Sequence, residues 1–262
     1  MKRSTLAMSL FWLGCSVANA ASATAPDNDP HGPLEAMPKP LEVRFALSAL
    51  PASLRPQATV YVLDPSRGYV LERQGNNGQS CFVNRMEWQF ADYRNDIFAP
   101  TCYDETGAKT HMRVIFDAAA MRARGFAPEV MREQILEGFF SGDYTAPDHP
   151  GFSYMTEPLI RTYTSLDSRE KNSVMTMTTP HVRYYAPNIE AGRAGDLPCP
   201  PCAPYPFVFE PGPHGYFIQR LGDQDSAKIL ADEAPLIREL CGYRRELCLL
   251  SGPREYAPAR RN

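Results

Sequence analysis

Residues 58–84 alternate short β-rich runs with tight-turn sequences, and that pattern leaves few folds open. Residues 59–63 carry Val60, Tyr61 and Val62, the β-branched and aromatic side chains that suit a pleated surface. Asp64-Pro65-Ser66-Arg67-Gly68 is a turn sequence, with Pro65 fixing φ and Gly68 free to take φ above zero. Residues 69–73 read as a second strand. Gly75-Asn76-Asn77-Gly78 is a second turn, because Asn and Gly tolerate the left-handed region. Residues 80–84 read as a third strand and carry Cys81. Three short strands with two tight turns predict an antiparallel meander, the nucleus of a sheet.

The first twenty residues have a different logic. Lys2 and Arg3 form a positive start, residues 6–14 are a short apolar core, and Ala18-Asn19-Ala20 is a small-residue cleavage site. Together they predict a signal peptide cut after Ala20, with an apolar core too short to span a bilayer as a permanent helix. Lipidation at Cys15 would need a small or aliphatic residue at position 12, and Trp12 fits that poorly. Taking 20 residues from 262 leaves 242, enough for one large core. The remainder has 25 basic and 30 acidic residues, a formal charge of −5. Such a chain lacks the electrostatic footprint of a nucleic-acid binder. Arg254, Arg260 and Arg261 make the C-terminal tail basic, and a solvated tail explains them.

Six cysteines remain after cleavage: Cys81, Cys102, Cys199, Cys202, Cys241 and Cys248. An even count in an exported chain favours disulfides. They fall into three sequence-local couples, Cys81 with Cys102, Cys199 with Cys202, and Cys241 with Cys248. The last couple sets a condition. On an unbroken helix seven residues rise roughly 10 Å, beyond the roughly 7 Å limit on Cα separation in a disulfide. That pairing requires a helix ending near Gly242.

Along the chain, residues 21–40 are rich in Ala, Pro, Asp and Asn and read as a flexible leader. Leu41, Phe45 and Ala49 give helical spacing before Pro51. Residues 85–100 hold Trp88, Phe90, Tyr93, Ile97 and Phe98, which suits a loop packed on the sheet or a binding surface. Residues 112–116 read as a strand and 118–124 as a short helix closed by Gly125. Pro128 starts another helix whose stripe is Met131, Ile135 and Phe139, widened by Leu136 and Phe140. It lacks the Lys and Arg of a membrane-surface helix. Residues 152–155, 159–165, 174–178 and 181–185 are strand candidates, with a polar turn at 167–172. Residues 186–205 are a Pro-rich loop. Residues 206–210 and 215–221 read as a hairpin around Gly212-Pro213-His214. Asp225 or Ser226 suits the cap of a helix that Pro235 interrupts or restarts and Gly242 ends. The domain expected is residues 41–250, with a disordered tail at 251–262.

Catalytic motifs are missing from the sequence. Cys199-Pro200-Pro201-Cys202 has thioredoxin-like spacing, but Pro204 and Pro206 oppose the helix that would lower the first thiol's pKa. Ala203 stands where a c-type haem site needs His, and no second CxxC completes a zinc site. A structural disulfide suffices. His31, His111, His149, His181 and His214 form neither HxH nor HExxH. Met175, Met177 and His181 resemble soft copper ligands, though strand alternation with core filling accounts for the methionines. There is no Gly-x-Ser-x-Gly elbow, no Ser-x-x-Lys of the penicillin-binding kind, and no Walker or Gly-x-Gly-x-x-Gly sequence. The neighbouring acids Asp104–Glu105 and Asp232–Glu233 suit solvated surfaces.

Several runs carry a family likeness: Ser48-Ala49-Leu50-Pro51 with residues 58–63, Gly75 to Cys81, Pro100-Thr101-Cys102-Tyr103-Asp104, and Pro180-His181-Val182 with Tyr185-Ala186-Pro187. In these the chain resembles a group of uncharacterised exported bacterial proteins, over most of residues 41–210. An aromatic follows Gly78 in that group, where this chain has Gln79. The resemblance implies a bacterial source and export, and brings no catalytic residue with it. The expectation is a secreted or periplasmic α+β domain: an antiparallel sheet of meander and later hairpins, peripheral helices and disulfides. It has no transmembrane segment in the mature chain. The function expected is a non-enzymatic binding or envelope-associated module, with a protein or envelope ligand and no cofactor or metal. The alternative is a hydrolase-like enzyme whose groups converge only in space.

Overall fold

Prolines set the first helix. Pro38 sits at φ −53° ahead of α1 (Lys39–Ser48), and Pro40 occupies its first turn. Leu41, Phe45 and Ala49 are buried on its inner face, as their spacing predicts. The computed structural model describes residues 29–164, 173–190, 205–210 and 212–249. The predicted signal peptide with Cys15, residues 21–28 of the leader, the 167–172 turn, the Cys199–Cys202 couple and the 251–262 tail lie outside the described residues.

The strands are β1 (Thr59–Asp64), β2 (Gly68–Arg73), β3 (Ser80–Asn84), β4 (Ala99–Tyr103), β5 (Phe152–Met155), β6 (Ile160–Tyr163), β7 (Val174–Met177), β8 (His181–Tyr185), β9 (Phe207–Glu210) and β10 (Tyr216–Arg220). Eight of them form one sheet in the order β2-β1-β3-β4-β5-β8-β10-β9, and β6 pairs with β7 alone. Every neighbour in the large sheet is antiparallel except β1 and β3. The helices that follow α1 are α2 (Glu105–Lys109), α3 (His111–Ala123), α4 (Pro128–Ser141), α5 (Asp223–Asp232) and α6 (Ala234–Tyr243). The class is the α+β arrangement expected, and none of the described helices is long and apolar enough to cross a membrane.

Alternation along the strands divides the core in two. Cys81, Val83 and Cys102 face Leu41, Phe45 and Ala46 of α1 and Leu236 and Leu240 of α6. Phe82, Tyr103 and Tyr185 face the other way, with Met112, Ile115 and Ala118 of α3 and Met131 and Ile135 of α4. Both described cysteine couples are disulfides. Cys81 and Cys102 sit directly opposite on β3 and β4, with Cα atoms 4.1 Å apart. Helix α6 stops at Tyr243, and a 3-10 turn at Arg245–Leu247 brings Cys248 back to a Cα separation of 4.4 Å from Cys241.

Five expectations need correction. The third strand of 58–84 does not complete a meander: β3 pairs with β1, parallel, on the side away from β2. The chain crosses over the start of β1, where the backbone N–H groups of Asn76 and Asn77 donate to the Gln57 carbonyl at 2.8 and 3.3 Å. Residues 112–116 are helical, inside α3, because their buried positions continue at helical spacing through Ala118, Ala119 and Met121. Leu136 and Phe140 do not widen the buried stripe of α4 but are exposed, Phe140 by 95%. Helix α5 starts at Asp223 after Gly222, so neither Asp225 nor Ser226 caps it. In the stretch read as a flexible leader, the described part is docked: Met37 is buried, Leu34 packs on the α3–α4 core, and the Asn95 N–H donates to the Pro30 carbonyl at 2.7 Å. The aromatic-rich segment before β4 packs inward rather than forming a surface. Phe90 stacks on Tyr163 with centroids 3.6 Å apart, and Trp88 lies against Phe139.

Candidate functional site

Strand register builds a polar row on the face of the sheet shared with α3. Tyr103 of β4 opposes Ser153 of β5, Ser153 opposes Arg183 of β8, and Arg183 opposes Ile218 of β10. Opposed residues in an antiparallel pair project to the same side. One step along, Met155 opposes His181; on the other side of Arg183, Tyr185 opposes Tyr216.

Arg183 is the hub. Burial disfavours its charge, yet Tyr216, Tyr103, Glu87 and Glu210 outweigh that and hold the guanidinium above its usual range. Its carbon lies 5.0 Å from the centre of the Tyr216 ring. Glu87 comes from the loop after β3, beside the 3-10 turn at Trp88–Phe90. Burial raises its carboxyl to about 7, against the opposing pull of Arg183. Thr162 donates to Glu87 Oε1 at 3.3 Å and Asn84 at 3.4 Å. Glu210 at the end of β9 is also raised by burial, against the opposing pull of Arg183, Gln89 and Tyr216. Glu157, two residues past β5, is 1% exposed, and burial raises it to about 8.

Two histidines roof the row. His111 opens α3 and stacks on Tyr185 at 4.6 Å and Tyr103 at 5.9 Å between ring centres. Its Nε2–H donates to the His214 carbonyl at 3.1 Å, and burial pushes its pKa down to about 3. His214 Nε2–H in turn donates to the Thr145 carbonyl at 2.7 Å. Both rings are neutral braces. Asp104 anchors the same corner: its carboxylate accepts from the Gly107 and Phe152 N–H groups at 2.8 and 2.9 Å, and lies 3.1 Å from the Tyr185 hydroxyl.

Side-chain hydrogen bonding is incomplete on this face. Ser153 Oγ, Arg183 Nε, His181 Nε2, Gln89 Oε1 and both Glu157 carboxyl oxygens are buried without a partner. Leaving such an atom unpaired costs about 1–3 kcal/mol. Four groups tied to Arg183 by register or electrostatics therefore form, with Arg183 itself, the least satisfied region of this sheet face. Two surface hollows lie elsewhere. One, about 300 Å³, is lined by Thr59, Gln74, Ser80, Glu105 and Lys109 among others; the other, about 410 Å³, is lined by residues 186–190 and begins one residue beyond Tyr185. The chemistry lies with the cluster, because the first hollow has no buried, unpartnered group among its lining residues.

None of the four described cysteines belongs to the cluster. Cys81 and Cys102 point to the opposite face, under α1, and Cys241 and Cys248 close the end of α6. Met177 packs on Ala99, Met155 and Ile160, and His181 Nδ1–H donates to the Thr179 carbonyl at 2.7 Å. No group of three or more His, Cys, Asp or Glu suited to a metal occurs among the described residues. Sequence reasoning missed Glu87, Ser153, Glu157, Arg183 and Glu210. A signal was present for Arg183, which lies between His181 and Tyr185 at period two and so shares their inward face. Compared with protein-family models, curated proteins and solved structures, the chain matches none.

Proposed function

We propose that this is a secreted or periplasmic binding protein, not an enzyme, and that its ligand is held by the cluster around Arg183. The observation that carries the reading is the facing pair Ser153 Oγ and Arg183 Nε, both buried and unpartnered on adjacent strands. A rigid sheet that holds polar groups in place without internal partners is preorganised for a small polar ligand. Export is supported by the charged, apolar and small-residue pattern of residues 1–20, by the likeness to exported bacterial proteins and by the two disulfides. Recovery of the mature protein without denaturation, followed by native mass spectrometry, tests both parts. A chain beginning at Ala21 with a bound small molecule is the result expected. A cytosolic chain beginning at Met1, or a mature chain with no added mass and no ligand-dependent shift in melting temperature, contradicts it.

A hydrolase-like enzyme is the second reading, favoured by Glu87. A carboxyl held near 7 beside a fixed cation suits general acid–base work. Under that reading Glu87→Gln abolishes turnover of the bound compound; under the first, the compound is released unchanged.

A further inference from the structure

The hollow of about 300 Å³ is lined by the first residues of β1 and β3, the turn between β2 and β3, and α2. It holds no buried orphan, but it holds two opposite charges that do not meet. Glu105 and Lys109 are exposed, four residues apart on α2, and both line it. Glu ahead of Lys at that spacing is the favoured orientation for a helical ion pair, with Cβ atoms roughly 5–6 Å apart. Arg113–Asp117 and Lys228–Asp232 close at the same spacing, at 3.9 and 2.6 Å. Glu105 and Lys109 form no ion pair among the described residues, with each other or otherwise. Glu105 lies over the turn instead, its Oε1 3.4 Å from where a Cβ on Gly78 would stand. Asp148 feels the charge of Lys109 but is itself bonded to His149 Nδ1 at 2.8 Å. The neutral lining adds hydrogen-bonding groups. Thr59, 8% exposed, accepts from the Gly75 N–H at 3.0 Å and from Gln74 Nε2 at 3.4 Å, which occupies its lone pairs and leaves its O–H to donate. The Ser80 hydroxyl and the Asn76 carboxamide engage no other group among the described residues. An anion alone would answer Lys109 and face Glu105; a cation alone would do the reverse. A molecule with both charges side by side answers both.

We propose that this hollow is a second binding site, separate from the Arg183 cluster, and that it takes a free α-amino acid. The ammonium group meets Glu105, the carboxylate meets Lys109, and Thr59, Ser80 and Asn76 offer hydrogen bonds beside them. The lining is polar and the space is small, so the side chain that fits is short and polar. The proposal stands apart from the ligand assigned to the cluster.

Backbone amide NMR on the natively purified chain tests it, with glycine and L-serine as probes. Methylammonium chloride and sodium acetate, at matched ionic strength, are the single-charge controls. At least one amino acid should shift the amides of residues 59, 74–80 and 105–109 saturably, with a Kd of about 1 mM or tighter. The controls should leave those amides in place. Glu105→Gln and Lys109→Gln alter exposed side chains and should keep the melting temperature. Each should weaken the amino acid by roughly tenfold or more, the worth of a hydrogen bond to a charged group. No saturable shift by about 10 mM overturns the proposal. So does an equal response to either control, or binding that both variants leave unchanged. Shifts confined to β5, β8 and β10 overturn it too, and place the amino acid at the cluster instead. A natively recovered chain without a small molecule counts against the cluster alone and leaves this site to the titration.

Discussion

Glu157 keeps both carboxyl oxygens unbonded at 1% exposure, and the consequence is a pH dependence with a definite sign. Burial raises Glu157 from 4.5 to about 8, and raises Glu42 and Glu87 to about 7. Between these values and 4.5 the folded chain binds more protons than the unfolded chain, so stability falls as pH rises. It is fully present below pH 4.5 and is lost as pH climbs through 7 to 8. Urea midpoints should decline from pH 7 to pH 9, above the range in which the buried neutral His111 and His181 add stability with rising pH, with Glu157 contributing on the order of 1 kcal/mol. Glu157→Gln, which keeps the shape and cannot ionise, should flatten much of that decline. A midpoint as high at pH 9 as at pH 7 would exclude a buried neutral Glu157. At this scale the sequence was only partly legible. Period two across His181, Arg183 and Tyr185 marks an inward charge. The carboxylates that make its burial tolerable, Glu87 and Glu210, come from distant segments with no local signature.

Turns were the most readable elements and their consequences the least. Gly68 and Gly78 take φ of +87° and +75°, as their turn sequences predict. Turn chemistry does not specify on which side of β1 the next strand lands. Gly75 does, by sterics: a Cβ there would lie 2.2 Å from the Gln57 carbonyl oxygen and 2.3 Å from the Ala58 carbonyl carbon. The crossover over β1 exists because position 75 has no side chain. Gly75→Ala should cost at least about 2 kcal/mol by displacing backbone, and Gly78→Ala about 1 kcal/mol from its left-handed φ alone, since its Cβ meets only the Glu105 side chain at 3.4 Å. Urea unfolding of the two variants ranks them, and the reverse ranking would place the crossover elsewhere. Helix α3 escaped the reading of residues 112–116 for a related reason. Val114, Ile115 and Phe116 are an apolar run in a short window, and only positions 118–121 reveal the helical period. The Cys81–Cys102 pair was legible because a short loop must return to the same sheet. Replacing both by alanine should lower stability by about 3 kcal/mol for a closed loop of 21 residues.

Over the whole molecule, two buried arginines join segments remote in sequence. Arg85 and Arg244 both lie over the Phe98 ring, at 3.9 and 5.4 Å from its centre, and both donate to the Asn95 carbonyl. Arg244, 1% exposed, also pairs with Glu35 at 2.9 Å and Glu246 at 3.1 Å. One guanidinium thus fastens the segment before α1, the loop before β4 and the turn after α6. Removing it leaves carboxylates and a carbonyl without their donor, a loss of about 3 kcal/mol or more. Arg85 and Arg183 occupy separate networks, so the effect should be regional. In Arg244→Gln, hydrogen exchange should accelerate together in residues 35–37, α1 and α6; Met37, α1 and α6 share the core on one side of the sheet. Amides of β8 and β10, paired to each other on the far half of the sheet, should keep their protection. Uniform acceleration across all strands would mean that the molecule opens only as one unit. Acceleration confined to the 3-10 turn at Arg245–Leu247 would mean that Arg244 holds its own turn and nothing else.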